Sequence, residues 1–370
     1  MSSNIRFGKI EAILMLITAI SIQLYLGIAR RMVEAGGVAG WMIPLYTCLL
    51  SLILFFFISK LYKNFEGKDI IDVAQIAGGS LCRVLVGLIF IVDYFFILSI
   101  MLRIFGEDIK IFALNKSPLS FVIIFFVIAI VVSAYLGIET IVRLNTIIVP
   151  IVTIAFLIVV LGNVDFFDTT RVFPVFGAGL HNIFVKQLPR VSIYSAFSIL
   201  LFIVPFIGGN KDFKSIGYWS LIITGFLLSF GTLVYILAVP YPTSTEYFIP
   251  YLHLARYVNH GRFFQRIESI FILTWTLSAI LYLSSGVFFL IYMIKKTFRL
   301  EYYRPLILPV AIILYTLCFI PPNLMYIVFL EGNIIRQYAW IVTFAVPIIV
   351  LLVANIVKRK KEGEKCNEKI

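Results

Sequence analysis

Long apolar runs, each interrupted by only a few polar residues, recur along the chain from Ile10 to Val357. A helix that crosses a bilayer needs roughly 20 mostly apolar residues. The pattern predicts ten such spans, at 10–31, 38–60, 81–102, 118–137, 144–162, 189–208, 215–239, 265–294, 304–322 and 335–357. The runs are continuous and not alternating, so they predict helices and exclude the roughly ten-residue strands of a membrane barrel. The longest connection on one side, about 163–188, carries Asp165, Asp168, Arg171, Pro174 and His181. Another, 240–264, opens on Pro240-Tyr241-Pro242 and holds Thr245–Tyr251, a predicted short interfacial helix; Asp69–Ala77 predicts a second one in the 61–79 loop. None of these connections is long enough to be a domain.

Composition strengthens the picture. The hydrophobic fraction is 61% and the charged fraction 14%, with a mean hydropathy of +1.02. Soluble domains are nearer half apolar and a quarter charged. The net charge of +12 would suit nucleic acid, but its placement argues against that partner. Lys and Arg lie in the short gaps between apolar runs and in the tail Lys358-Arg359-Lys360-Lys361, where basic residues set topology and meet anionic lipid. With the N-terminus in the cytoplasm, 19 of the 31 basic residues fall inside and 12 outside. That bias and the even span count predict both termini inside. The expected organisation is a cytoplasmic N-terminus (1–9), one transmembrane domain (10–357) and a basic cytoplasmic tail (358–370). No small-residue cleavage site follows the first run, which therefore reads as a span and not a signal peptide. Cys48, Cys82, Cys318 and Cys366 show neither disulfide nor metal spacing.

Polar groups at membrane depth need partners and mark candidate sites. Span 1 carries Thr18, Ser21 and Gln23. Ser21 and Gln23, two apart, share no face of a regular helix, so either one faces lipid or the backbone departs from helix, as in transporters with broken helices. Span 6 carries Ser192, Tyr194, Ser195 and Ser198. Its serines, three apart, share a face, and Tyr194 nearly joins Ser198 there; tight packing through small residues is the competing explanation. Asp93, beside Tyr94, is a carboxylate deep in span 3, suited to a ligand ammonium, a proton relay or a structural pair. Span 8 is unusually polar, with Thr274, Trp275, Thr276, Ser278, Tyr282, Ser284 and Ser285. No Walker loop, His-x-x-x-His or Gly-x-Ser-x-Gly motif is present, which argues against an enzyme. His181, His253 and His260 form no metal pattern.

An ordered set of segments resembles the endospore germination permeases, the B-type subunits of nutrient germinant receptors within the amino acid–polyamine–organocation superfamily. Span 1 with Glu34-Ala35-Gly36 and Trp41 resembles the family's opening, and Leu102-Arg103-x-Phe105 with Ser117-Pro118 its third-span exit. Gly137-Ile138-Glu139-Thr140-Ile141-Val142-Arg143-Leu144 with Pro150 is similar to its Gly-x-Glu-x-x-x-Arg segment. Pro174-Val175 and Gly179 match its outer loop; Arg266-Ile267-Glu268-Ser269-Ile270-Phe271 and Trp275 match its eighth span. The chain departs from the family in span 1. Ser21-Ile22-Gln23 takes the place of a Gly-rich break, Gly27-Ile28 stands where a proline is usual, and Arg30 and Arg31 follow where apolar residues are usual.

The resemblance implies an all-α, LeuT-like fold of two inverted five-helix repeats (about 10–162 and 189–357), with spans 1 and 6 discontinuous around a central site. It implies a small germinant there, an amino acid, held by Thr18, Ser21, Ile22 and Gln23 of span 1, Asp93 and Tyr94 of span 3, Tyr194, Ser195 and Ser198 of span 6, and Tyr282 of span 8. It further implies A-type and C-type partner subunits, the spore inner membrane and no cofactor. Glu139, Arg143 and Arg171 read as structural or partner-facing. The alternative function is an ion- or proton-coupled amino-acid permease. Proton-coupled members commonly carry a span-5 lysine, which 144–160 lacks. Ser284 and Ser285 remain candidate cation ligands, because hydroxyl oxygens suit hard cations.

Overall fold

A computed structural model describes residues 7–258 and 267–367, with side chains up to Lys360. Arg6, His260, the expected start of span 8 at 265, Arg266 and the side chains of the tail beyond Lys360 lie outside the described residues. Twelve helices organise the rest. They are α1 (Lys9–Leu24), α2 (Ile28–Ala39), α3 (Met42–Tyr62), α4 (Ile70–Phe112), α5 (Leu119–Leu136), α6 (Ile138–Leu161), α7 (His181–Phe206) and α8 (Asn210–Ala238). A short α9 (Pro250–Tyr257) follows, then α10 (Ile267–Phe298), α11 (Arg304–Leu317) and α12 (Leu324–Lys360). Eight of these are long and apolar enough to cross a bilayer, and the bent pair α1–α2 makes a ninth; α11 is a shorter apolar helix. The protein is a multi-pass membrane protein, and these ten segments answer to the ten expected spans.

Two boundaries differ from expectation for a physical reason. Span 3 extends to Phe112 and span 10 begins at Leu324; within these extensions Arg103 pairs with Glu107 and Glu331 with Arg336 inside the bundle and not in loops. The two interfacial helices also form. Residues 70–77 lie before a kink at Gly78 and Gly79, where the backbone leaves helical geometry, and Asp69 caps their start by accepting from the Asp72 N–H at 2.9 Å. The outer one begins at Pro250 and not at Thr245; proline suits a first helical position, whose N–H needs no partner.

Span 8 is the heart of the bundle: 78% of its apolar window is buried, against 28% for α5 and for α6 on the lipid-facing side. Elements equivalent across the two halves touch: α1 with α7, α3 with α8, α4 with α10. Small residues permit the α3–α8 approach, since a Cβ at Gly217 or Gly225 would overlap Phe55 or Cys48. At the end of the bundle away from the chain termini, hydrogen bonds fasten the segment around α9 down. The Tyr251 hydroxyl donates to the Gly231 carbonyl at 2.6 Å, and the Tyr235 hydroxyl to that of Ser244 at 2.7 Å. Arg171 reaches the last carbonyls of α8, Leu237 and Ala238, at 2.8 and 2.7 Å, a structural role. Hydrogen bonds from Thr170, side chain first and then backbone, hold the exposed Asp168 carboxyl below the usual carboxylate range.

The fastened segment fixes a constraint on span 1. Gly27, which opens α2, has a φ of +78°, and a Cβ there would stand 2.8 Å from the Phe248 carbonyl oxygen. Left-handed backbone costs a non-glycine residue roughly 1–3 kcal/mol before any contact is counted. Gly27→Ala is therefore expected to lower the unfolding midpoint in detergent by several degrees; an unchanged midpoint would show that the segment carrying Phe248 yields freely.

Candidate functional site

Spans 1 and 6 depart from regular helix where they meet. Span 1 runs as α-helix to Ser21 and tightens into a 3-10 turn over Ile22–Leu24. It resumes at Ile28 bent by 60°. Span 6 is wound as a 3-10 helix over Leu188–Ile199. The winding is interrupted at Tyr194, whose backbone leaves helical geometry, so Ser195 and Ser198 line one cavity whereas Ser192 accepts from the Trp340 N–H of α12. Tyr194 does not join them, because four residues in a 3-10 helix are well out of line. Its hydroxyl points away and donates to the Pro44 carbonyl of α3 at 2.8 Å.

The structure divides the expected residues between two small cavities. One, of about 20 Å³, is lined by Tyr94, Ser195, Ser198, Tyr282 and Gly286. The Ser198 hydroxyl donates to the Ser195 carbonyl at 2.9 Å, so the Tyr94 hydroxyl, 2.9 Å from Ser198 Oγ, is the donor in that pair. The other, of about 50 Å³, is lined by Thr18, Ser21 and Ile22 with α6 residues, Leu227 and Ser278. Thr18 there bonds back to the Leu14 carbonyl at 3.1 Å, whereas Ser21 is half-buried at the cavity wall. Each cavity has room for a water or two. Asp93 is half-buried and lines neither; it makes no ion pair among the described residues. On span 8, Ser285 bonds back to the Leu281 carbonyl at 2.8 Å, whereas the buried Ser284 hydroxyl has no hydrogen-bond partner among the described residues.

Gln23 lies between the cavities and leads to a network that sequence reasoning missed. Its Nε2 donates to the Ile193 carbonyl of span 6 at 2.7 Å, and its Oε1 accepts from Arg336 of α12. Arg336 Nε donates to Glu331 at 2.7 Å. Glu331 also pairs with Arg31 of α2, whose guanidinium donates to the Leu26 carbonyl at 2.9 Å. Glu331 and Arg336 are five apart, a spacing that shares no face of an α-helix. They meet because Glu331–Ile335 is a π-helical turn, whose i to i+5 bonding aligns residues five apart. The only sequence signal was two charges inside an apolar segment. More bonds tie span 10 to span 6: Trp340 N–H donates to Ser192 Oγ at 3.0 Å, and Thr343 Oγ1 to the Ser195 carbonyl at 3.1 Å.

Outside this lock, at the bundle end away from the termini, lies a vestibule of about 340 Å³ with Arg30, Arg31, Arg190 and Glu34 in its wall. Arg30 pairs with Glu34 at 2.7 Å. Nearby in α4, Arg103 pairs with Glu107 at 3.0 Å and donates to the Cys318 carbonyl at 3.2 Å. The exposed Glu139–Arg143 pair has the expected i, i+4 geometry.

Two interrupted helices crossing at the bundle centre, with small cavities beside them, define the LeuT-like class of transporter folds. The structure of Mhp1, a nucleobase-cation-symport-1 family transporter in a closed conformation with bromovinylhydantoin bound, matches 94% of this chain and 89% of that one, with a TM-score of 0.63 at 15% identity. Residues 9–327 match the family described as spore germination protein, and the chain belongs to that family. Among relatives in Bacillus subtilis (strain 168), spore germination protein B2 is 26% identical over 254 residues, covering 68% of each chain. Spore germination protein YndE is 25% identical over 337 residues, 88% of this chain and 89% of that one.

Removing the shared carboxylate should strand two arginines in the bundle. Glu331→Ala is expected to cost about 3–5 kcal/mol, read as a large fall in the detergent unfolding midpoint. A midpoint equal to that of the parent protein would mean that the triad is solvated and adds nothing.

Proposed function

We propose that this chain is the transporter-like B-type subunit of a nutrient germinant receptor. On this reading a small germinant, an amino acid, binds where spans 1 and 6 break, and binding triggers germination. The observation that carries the reading is the Tyr94–Ser198–Ser195 chain of hydroxyl and carbonyl groups at the 3-10 segment of span 6, beside Tyr282. The backbone irregularity at Tyr194 interrupts the winding beside the Ser195 carbonyl, an oxygen that a ligand ammonium can use, and the Ser21 side of span 1 supplies the second wall. Thr18 and Ile22 complete that wall, with Gln23 held beside it by Ile193 and Arg336; on this reading Asp93 acts through the adjacent Tyr94 and not as a direct ligand.

Cavities of about 20 and 50 Å³ are far below the roughly 300 Å³ of ordinary ligand pockets. The germinant therefore enters from the vestibule only when the Arg31–Glu331–Arg336–Gln23 lock parts. The same lock is the natural relay to the rest of a receptor, because it joins spans 1, 6 and 10.

The proposed setting is the spore inner membrane, with A-type and C-type subunits as partners and both termini in the cytoplasm. Charge supports that orientation. Arg336 and Arg103, counted outside, are buried in the bundle and Arg31 largely so, which leaves fewer basic residues in the outer loops to oppose the positive-inside bias.

The test is germination of spores carrying Ser195→Phe or Ser21→Phe. Each variant is expected to accumulate normally and to reduce the response to amino-acid germinants at least tenfold, scored by loss of optical density. A normal response in both removes the site from these positions. Uptake of labelled amino acid by proteoliposomes of the purified chain would instead favour the permease reading.

A further inference from the structure

The end of the bundle that carries the termini holds a second cationic site, remote from the germinant cavities. There α4 leaves the surface at the Gly78–Gly79 kink and enters the bundle beside the last turns of α10. A Cβ at Gly87 would overlap the Thr297 side chain, so the two helices run at close range. A cavity of about 200 Å³ opens between them, with Asp72, Arg83, Tyr292, Lys295, Lys296 and Arg299 in its wall.

The cations in this wall are unequally satisfied. Asp69 and Asp72 hold Lys296 at 3.2 and 2.7 Å, and the Tyr292 hydroxyl donates to Asp69 at 2.6 Å. No carboxylate among the described residues pairs with Arg83, Lys295 or Arg299. Arg83 is 9% exposed, and its Nε and Nη1 are buried without any hydrogen-bond partner among the described residues. A buried guanidinium left with free donors is costly unless an anion completes it, and its planar fork fits a phosphate oxygen pair.

What lies beside the cationic cavity identifies the kind of anion. Tyr292 and Lys295 also line a second cavity of about 320 Å³, whose wall combines apolar Leu136, Ile138, Phe206, Phe288 and Tyr303 with Arg304 and with Glu139, which Arg143 pairs. The two cavities thus lie side by side along one turn of α10, on either side of Tyr292 and Lys295. A free phosphate would use the first and leave the second empty. A phosphate esterified to a glycerol carrying acyl chains fills both.

We infer that the Arg83–Lys295–Arg299 cavity and the adjoining trough form a binding site for an anionic phospholipid, with the headgroup phosphate on Arg83 and an acyl chain along Phe206, Phe288 and Tyr303. Basic pockets between membrane helices recognise anionic headgroups in this way. The site is independent of the germinant reading, since none of its residues touches the central cavities.

The test uses the full chain in detergent micelles and in nanodiscs. Native mass spectrometry should show retained phosphatidylglycerol in preference to phosphatidylcholine, and phosphatidylglycerol should raise the unfolding midpoint more. Retention should fall about fivefold or more in Arg83→Gln and in Lys295→Gln. It should persist in Arg83→Lys and in Lys60→Gln, an exposed charge change on the same end of the bundle. Lys295→Gln keeps the test decisive if Arg83→Gln does not accumulate. Equal retention of the two lipids, or undiminished phosphatidylglycerol in both glutamine variants, overturns the site. If inorganic phosphate alone stabilises the protein through Arg83 while phosphatidylglycerol nanodiscs do not, the lipid assignment is overturned in favour of a soluble anion.

Discussion

A break in a membrane helix frees backbone groups that water cannot reach, and every other feature of the centre follows from how those groups are satisfied. Here the freed groups and a surplus of buried positive charge satisfy each other. Arg31 and Arg336 share the single carboxylate of Glu331, so the triad retains one uncompensated positive charge. The remaining donors go to oxygens at the span-1 break, the Leu26 carbonyl and the Gln23 amide oxygen. Gln23 in turn spends its own donor on the Ile193 carbonyl in the 3-10 segment of span 6. Regular helices in both spans would have consumed the two backbone carbonyls internally and stranded the cations. The irregular backbone and the buried charge are therefore one device, and neither is stable without the other.

That interdependence explains what the sequence disclosed. Ten spans were legible because bilayer length imposes continuous apolar runs, and the runs survive any detail of packing. The break in span 1 was legible in outline, since Ser21 and Gln23 fit no single helical face. The i, i+3 pair Ser195 and Ser198 was legible, whereas Ser192 lies beyond the irregular backbone at Tyr194 and turns to Trp340. Tyr194 was misjudged because four residues align in an α-helix and not in the 3-10 segment that forms. Glu331 and Arg336 were invisible as a pair, because five-residue spacing becomes a contact only in a π-turn. Local sequence gives no sign of that winding; it is set by what the turn must face across the bundle.

The two ends of the bundle use positive charge differently. At the end away from the termini, Arg30 pairs with Glu34 of the same wall, and Arg31 pairs with Glu331 of span 10, which it shares with Arg336. At the other end, two acids serve Lys296 and leave Arg83, Lys295 and Arg299 to whatever lies beyond the protein. The first arrangement is closed on itself and can open only by separating helices. The second is incomplete as it stands, which suits a surface whose partner is always present, the bilayer itself.

This contrast bears on sensing and transport in one fold. A transporter must open and close its centre repeatedly, so strong buried pairs across spans 1, 6 and 10 would slow each cycle. A receptor needs to change state once, and a costly lock then helps, because it keeps the resting state populated in the absence of ligand. Shifting a two-state protein from about one part in a hundred to ninety-nine requires roughly 5.5 kcal/mol of differential binding. One small ligand with an ammonium and a carboxylate can supply energy on that scale only if it replaces existing interactions as well as adding its own. The hydroxyl and carbonyl groups around Tyr94, Ser195 and Ser198 are hydrogen-bonded to one another in the closed centre; on the proposed reading a ligand ammonium takes the Ser195 carbonyl and the ligand carboxylate accepts from the displaced Ser198 hydroxyl. The Thr343 bond to the Ser195 carbonyl carries that exchange directly to span 10, on the same helix as Glu331 and Arg336.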